Sequence, residues 1–403
     1  MKIAVKSADY YIICSIGILA QISQLVVLSN GIKFALLAAV GFVALLLLLQ
    51  HRKLYVAPFL GWYGLFFLFL FLSLLYTVNT INPEYVLIRT GLALCMGLLV
   101  IQFMDTPDKF LGLLNGLITG ALVGAATTLI LQRDAIGASR LGLGVYGSQV
   151  EFSYVMAVGL YAVIWKLVYR KKGRLFQILL GLFFILAIGL SGSRRTFITP
   201  FLFFLLLYWM KRDIHLPRKI AVLVGCLILG AFALYLVLHN DTLYAVLGRR
   251  IESMLESLLG GGDVTDASIR ERNIMISYGW QYFLERPLFG WGVHGFAYLF
   301  ARSSYAGARL VYSHNGFTEV LSCYGLVGFF LYYRVFYTYI RHFGVIRRDQ
   351  TGIAAFFMAF ALMTLFTEWS TISFITIQAV VLLAAGLRVI KEKNFSFDWG
   401  DTP

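Results

Sequence analysis

About a dozen apolar stretches, each of roughly 18 residues or more, follow one another along this chain, and a helix of that length is what a bilayer requires. They run over 10–28, 31–50, 56–77, 84–104, 109–132, 150–169, 174–191, 194–210, 219–238, 314–340, 352–369 and 371–390. The expectation is an all-α polytopic membrane protein of about twelve transmembrane helices. Composition agrees: 60% of residues are hydrophobic and 13% charged, against about 25% charged in soluble domains. The 34 Phe and 23 Tyr suit lipid-facing and interfacial positions.

Charge orders these segments. Lysine and arginine favour the cytoplasmic loops, and Lys2/Lys6, Arg52/Lys53, Lys109, Arg170/Lys171/Lys172/Arg174, Lys211/Arg212/Arg218/Lys219, Arg341/Arg347/Arg348 and Arg388/Lys391/Lys393 fall on one side if both termini are cytoplasmic. The net charge of +14 is therefore read as topology, not as affinity for nucleic acid. The apolar run behind Lys2 and Lys6 is long and has no small-residue cleavage site, so it reads as a first span. Cys14, Cys95, Cys226 and Cys323 all lie within apolar stretches and read as small hydrophobes.

Three regions follow: nine spans in 1–238, a large outer loop over 239–313, and spans ten to twelve in 314–390, with 391–403 as a cytoplasmic tail. A loop of about 75 residues is far longer than an ordinary connection and points to function. Within it, 270–286 reads as an amphipathic helix carrying Tyr278, Trp280 and Tyr282 at the interface, stopped by Pro287 and followed by a turn marked by Gly290, Gly292 and Gly295.

The outer ends carry the chemistry-bearing residues. In 312–328 a polar Ser-His-Asn opens a long helix, and at 100° per residue His314, Thr318, Leu321, Gly325 and Gly328 share one face. The two glycines would admit a neighbouring helix. His314 is read equally as an N-capping interfacial histidine or as a general base, the usual role of histidine near neutral pH. In SGSRRT (191–196), Ser193 as N-cap with Arg194 and Arg195 opens a span against both the helix dipole and the charge rule, which suits a phosphate or pyrophosphate; the plainer alternative is snorkelling to lipid headgroups. Arg270 and Arg272 stand at the start of the loop helix. Arg89 lies more than one turn inside its span, where an ionisable group points to function. Glu151 and Glu368 at outer helix ends are either its partners, or supports for His314, or simply solvated. No outer Asp-x-Asp or paired acids and no P-loop, Gly-x-Ser-x-Gly or His-Glu-x-x-His motif occurs, so metal-free chemistry without a cofactor is expected, arginines offsetting phosphate charge.

With these motifs in hand, the chain resembles the O-antigen ligase and O-antigen polymerase family of bacterial membrane glycosyltransferases. The family pattern of His, then Asn, Ser or Gln, nine residues and Gly-x-x-Gly is matched by His314-Asn315 with Gly325 and Gly328. Its Ser-Arg at the head of an earlier span is matched at Arg194, and its Arg followed by Pro-x-x-Gly-x-Gly at Arg272, Pro287 and 289–292. The motifs cover roughly 185–330. The resemblance implies a GT-C-like fold in the bacterial inner membrane with its site facing the periplasm or exterior. It implies a polyprenyl-pyrophosphate-linked glycan donor, a glycan or lipid A-core hydroxyl acceptor, and inversion. Implied partners are membrane lipids, a flippase and a chain-length regulator. His314 would be the base, Arg194 and Arg272 (with neighbours Arg195 and Arg270) the pyrophosphate clamp, and Asn315 an orienting group. Many ligases carry Glu two residues before the first glycine, where this chain has Cys323; Glu319 stands in the same helix instead, and Glu368 is the counterpart of an acidic residue in the last outer loop. That pattern looks more like capsule and exopolysaccharide polymerases. A polymerase is the leading expectation, a ligase the close alternative, and a twelve-span transporter or flippase the reading from another class.

Overall fold

The computed structural model describes residues 7–51, 54–79, 83–135, 140–170, 173–240, 244, 248, 267–305 and 309–391. Among these it is helical throughout and contains no strand. Every expected apolar segment is a helix: α1 (Ala8–Ile22), α2 (Asn30–His51), α3 (57–75), α4 (Glu84–Phe103), α5 (Pro107–Leu131), α6 (Gln149–Tyr169), α7 (Arg174–Ser191), α8 (Arg194–Met210) and α9 (Leu216–His239) precede the loop. The loop contributes α10 (Ala267–Glu285) and the short α11 (Gly295–Ala301); α12 (Gly316–Arg341), a single turn α13 (Phe343–Ile346), α14 (Ile353–Thr367) and α15 (Ile377–Lys391) complete the chain. Six of them, α4, α5, α6, α7, α9 and α12, are long and apolar enough to cross a membrane on length and composition. Lys2, Lys6, Arg52, Lys53, Lys171, Lys172 and Lys393, which share in the charge alternation, and most of the 391–403 tail lie outside the described residues.

Packing follows from small residues. Gly112, Gly116 and Gly120 of α5 form a stripe at four-residue spacing, and a Cβ on Gly116 would lie 2.1 Å from the carbonyl oxygen of Cys14, so α1 and α5 meet backbone to backbone. α6 is the central helix, with 72% of its apolar window buried, whereas α9 has 0% buried and faces outward. α3 departs from regular helix. A π-helical turn at Leu60–Gly64 interrupts it, so the buried Trp62 donates from Nε1 to the carbonyl of Tyr332 (2.8 Å) and Tyr63 donates its hydroxyl to that of Phe374 (2.6 Å). Apolar length alone carries no signal for such a turn.

Candidate functional site

One end of the bundle holds a chamber of about 660 Å³, walled by the end of α1, the starts of α4, α6, α8 and α12, residues 310–314 and the 370–376 turn. Consecutive spans enter and leave this end alternately, so the segments expected to reach the outer face arrive together. Its lining includes Arg89, Glu151, Arg195, Arg272, His314 and Glu319, and also His294.

His314 lies two residues ahead of the membrane-spanning α12. It is not the N-cap. Asn315 caps the helix, its side-chain oxygen accepting from the Thr318 N–H at 3.1 Å, while His314 occupies a left-handed conformation with φ of 54°. A side chain tolerates that region at a cost of about 1–3 kcal/mol, so its surroundings must enforce it. They do so from both sides. Glu319, 3% exposed, accepts the Ser313 N–H at 2.7 Å, and the Ser313 hydroxyl donates to the Asn315 carbonyl at 2.8 Å. Asn315 Nδ2 also donates to the Trp369 carbonyl at 3.4 Å. Asn315 thus fixes the backbone around His314 and makes no bond to its ring. The imidazole packs on Tyr312, with centroids 4.2 Å apart. Burial first, then the positive charge of Arg272, pushes its pKa down to about 4; Glu271 opposes this and Arg195 adds the smallest lowering effect. At neutral pH the ring is therefore an uncharged base.

The arginines divide. Arg195 sits in the first turn of α8, and its Nη1 is buried with no hydrogen-bond partner. A buried guanidinium N–H without an acceptor is costly unless an anion arrives. Arg272, on α10, lines the same chamber, and its charge opposes that of Arg195. Neither forms an ion pair with a carboxylate among the described residues. The side chain of Arg194 lies outside the described residues, so the SGSRR arginine seen in the chamber is Arg195. Arg270 is exposed and is not part of the lining. Ser193 holds the expected N-cap position, but its hydroxyl pairs with that of Thr196 at 2.8 Å and caps no backbone N–H.

Glu368, read from the sequence as a partner of Arg89, a support for His314 or simply solvated, is fully buried. Its carboxylate accepts from the Tyr333 hydroxyl at 3.0 Å, from the Ser373 N–H at 3.2 Å and from the Ser373 hydroxyl, and its carbonyl accepts the Gly316 N–H at 2.6 Å. It ties the end of α14 to the start of α12. Glu319 also accepts a 3.6 Å contact from the Cys323 thiol, so the cysteine in the family's acidic position supports the glutamate one turn earlier.

The two glycine motifs form one unit, which revises the expectation that Gly325 and Gly328 admit a helix. α12 is broken at Gly325 (φ 61°, ψ −164°), so the shared face does not run on unbroken to Gly328. What packs at Gly325 is the turn after α10, whereas Gly328 does admit a helix, a Cβ there lying 3.1 Å from the Phe69 ring of α3. Leu326 N–H donates to the Pro287 carbonyl (2.8 Å), Val327 to Leu288 (3.2 Å), Trp291 to Ser322 (3.0 Å) and Gly292 to Cys323 (2.8 Å). A Cβ on Gly325 would lie 2.4 Å from the Leu288 backbone, and one on Gly290 2.4 Å from that of Cys323. Only glycine fits either position.

His294 escaped sequence reading. It follows this turn with φ of 56°, its Nδ1 is buried without a partner, and burial pushes its pKa down. Its place between Gly292 and Gly295 is unremarkable in the sequence, and its left-handed backbone shows only in the fold. Lys33 of α2, beside Arg89, was also overlooked.

These features define a multi-helix membrane protein with a cationic, histidine-bearing chamber at one end of its bundle. Residues 178–333 match the family model described as O-antigen ligase, and that stretch is similar to the O-antigen ligase and polymerase type of membrane glycosyltransferases. The matched stretch contains Arg195, Arg272, His314 and Glu319; Lys33, Arg89, Glu151 and Glu368 lie outside it. No curated protein matches the chain.

Proposed function

We propose that the protein is a metal-independent, inverting polysaccharide polymerase of the bacterial inner membrane, its chamber facing the periplasm or exterior. The observation that carries this reading is the neutral His314 imidazole sharing one chamber with Arg195, whose buried Nη1 has no partner, and with Arg272. His314 removes the proton from an acceptor hydroxyl, whose oxygen bonds to the anomeric carbon of the donor glycan from the face opposite the pyrophosphate. The bond from that carbon to the pyrophosphate oxygen breaks, its electron pair leaving with polyprenyl pyrophosphate. Arg195 and Arg272 offset the charge that develops there, a preorganised electrostatic role. The arriving pyrophosphate also cancels the arginine charge felt by His314, so the base strengthens once the donor is bound.

The word ligase in the family description favours a second reading, in which the finished glycan passes to lipid A core or another terminal acceptor by the same chemistry. A strain lacking the gene separates the two, since single carrier-linked repeat units indicate a polymerase and long unattached chains a ligase. Purified protein given carrier-linked glycan should release polyprenyl pyrophosphate and be insensitive to EDTA. No release would sink the transfer reading, and strong inhibition by EDTA the metal-free one.

A further inference from the structure

Beside the chamber lies a second cavity of about 230 Å³ between α1, α2 and α4. Leu19, Ile22, Leu36, Ile88, Leu92 and Met96 make it apolar, and Leu36 and Ile88, 40% and 50% exposed, leave it open sideways toward lipid. The two cavities adjoin, with Gln24, Tyr85, Arg89 and Ile375 lining both. At their junction Lys33 and Arg89 stand close enough to repel each other, with Glu151 attracting both. The Arg89 guanidinium lies 4.8 Å over the Tyr85 ring. Neither cation has an ion pair within bonding distance among the described residues. This cationic pair is distinct from Arg195 and Arg272, which act on each other and on His314, while Lys33 and Arg89 do not figure among the charges felt by His314.

We propose that the Lys33–Arg89 junction and its apolar groove hold the phosphate end and lipid tail of a second carrier-linked glycan, the acceptor. The inference rests on the polymerase reading and deepens it, because a polymerase must hold two carrier-linked substrates at once whereas one cationic clamp serves only the donor. Charge complementarity and an apolar groove opening to the bilayer select an anionic lipid. The groove adjoins the chamber, so the sugars of that lipid extend from it toward His314. The chemistry is unchanged: the hydroxyl at the far end of this acceptor gives its proton to His314 and bonds to the donor's anomeric carbon, and the donor's pyrophosphate departs.

The test uses the full-length protein in proteoliposomes with carrier-linked repeat units extracted from a strain lacking the gene, and the same oligosaccharide freed from its carrier by mild acid. Wild-type protein should prefer the carrier-linked unit as acceptor by tenfold or more over the free oligosaccharide. Lys33→Gln and Arg89→Gln should erase most of that preference. In Lys33→Gln, whose side chain lines only the groove, transfer to the free oligosaccharide and the donor KM measured with it should stay within about twofold, and Arg89→Lys should keep the preference; unchanged melting in detergent excludes misfolding. An equal rise in donor KM would overturn the inference by making the groove the donor's own. No change in either variant would overturn it as well, leaving only contacts with bulk phospholipid. Long unattached chains in the deletion strain would instead overturn the polymerase reading, and this inference with it.

Discussion

His314 is held in a backbone conformation that L side chains enter at a cost, between Ser313 and Asn315, whose bonds to Glu319 and Thr318 keep it there. Replacement by alanine removes the imidazole while leaving that frame, so His314→Ala should lower turnover by about 10²–10⁴-fold. Donor binding measured by carrier-lipid crosslinking should persist; unchanged turnover would remove His314 from the chemistry. Because the imidazole titrates near 4, the acid limb of kcat/KM should fall there rather than near the usual histidine value of about 6.5. Arg272→Gln takes away a positive charge that disfavours the imidazolium and should shift that limb toward higher pH. Arg195→Ala should raise donor KM by roughly 10–150-fold, the equivalent of one hydrogen bond to a charged group. Arg195→Lys should restore only part of this, because a point charge cannot reproduce the guanidinium fork.

At the scale of elements, the decisive join is between the turn after α10 and the break in α12. Gly325→Ala would place a methyl group against the Leu288 backbone at a ψ reserved for glycine, and should destabilise by roughly 2–4 kcal/mol. A Cβ on Gly189 of α7 would meet nothing within 4 Å, so Gly189→Ala should leave melting in detergent unchanged or slightly raised. If Gly325→Ala melted like the wild type, the close approach would be wrong. All twelve apolar segments were legible because hydropathy is summed over many residues and survives local irregularity, and α10 was found within a few residues at each end. The π turn of α3, the break at Gly325 and the cap at Asn315 were not. The first two depend on contacts with distant segments, of which periodicity contains no record, while the cap is a local bond from the Thr318 N–H that competed with His314 for the same role. Arg195 and Arg272 were found by charge in the wrong place; His294 and Lys33 look ordinary until the fold brings them to a cavity.

Over the whole molecule, ends contributed by α1, α4, α6, α8, α12 and α14 converge at the chamber, while Arg341 closes the far end of α12 and Arg347 and Arg348 lie beyond it. If the chamber end is external, a membrane-impermeant maleimide should label Ser304→Cys in intact spheroplasts above the wild-type background, and Gln350→Cys only after lysis; both positions are exposed. The reverse pattern would invert the assigned orientation. The backbone bonds between 287–292 and 322–327 have a consequence at this scale too. They couple α10, which carries Arg272, to α12, which follows His314, so one side of the chamber behaves as a fixed jaw. The facing wall of α1 and α4 takes no part in these bonds. Changes of sugar preference can accumulate on that opposing jaw while the reaction geometry is left untouched, which makes it the place to graft a new glycan specificity.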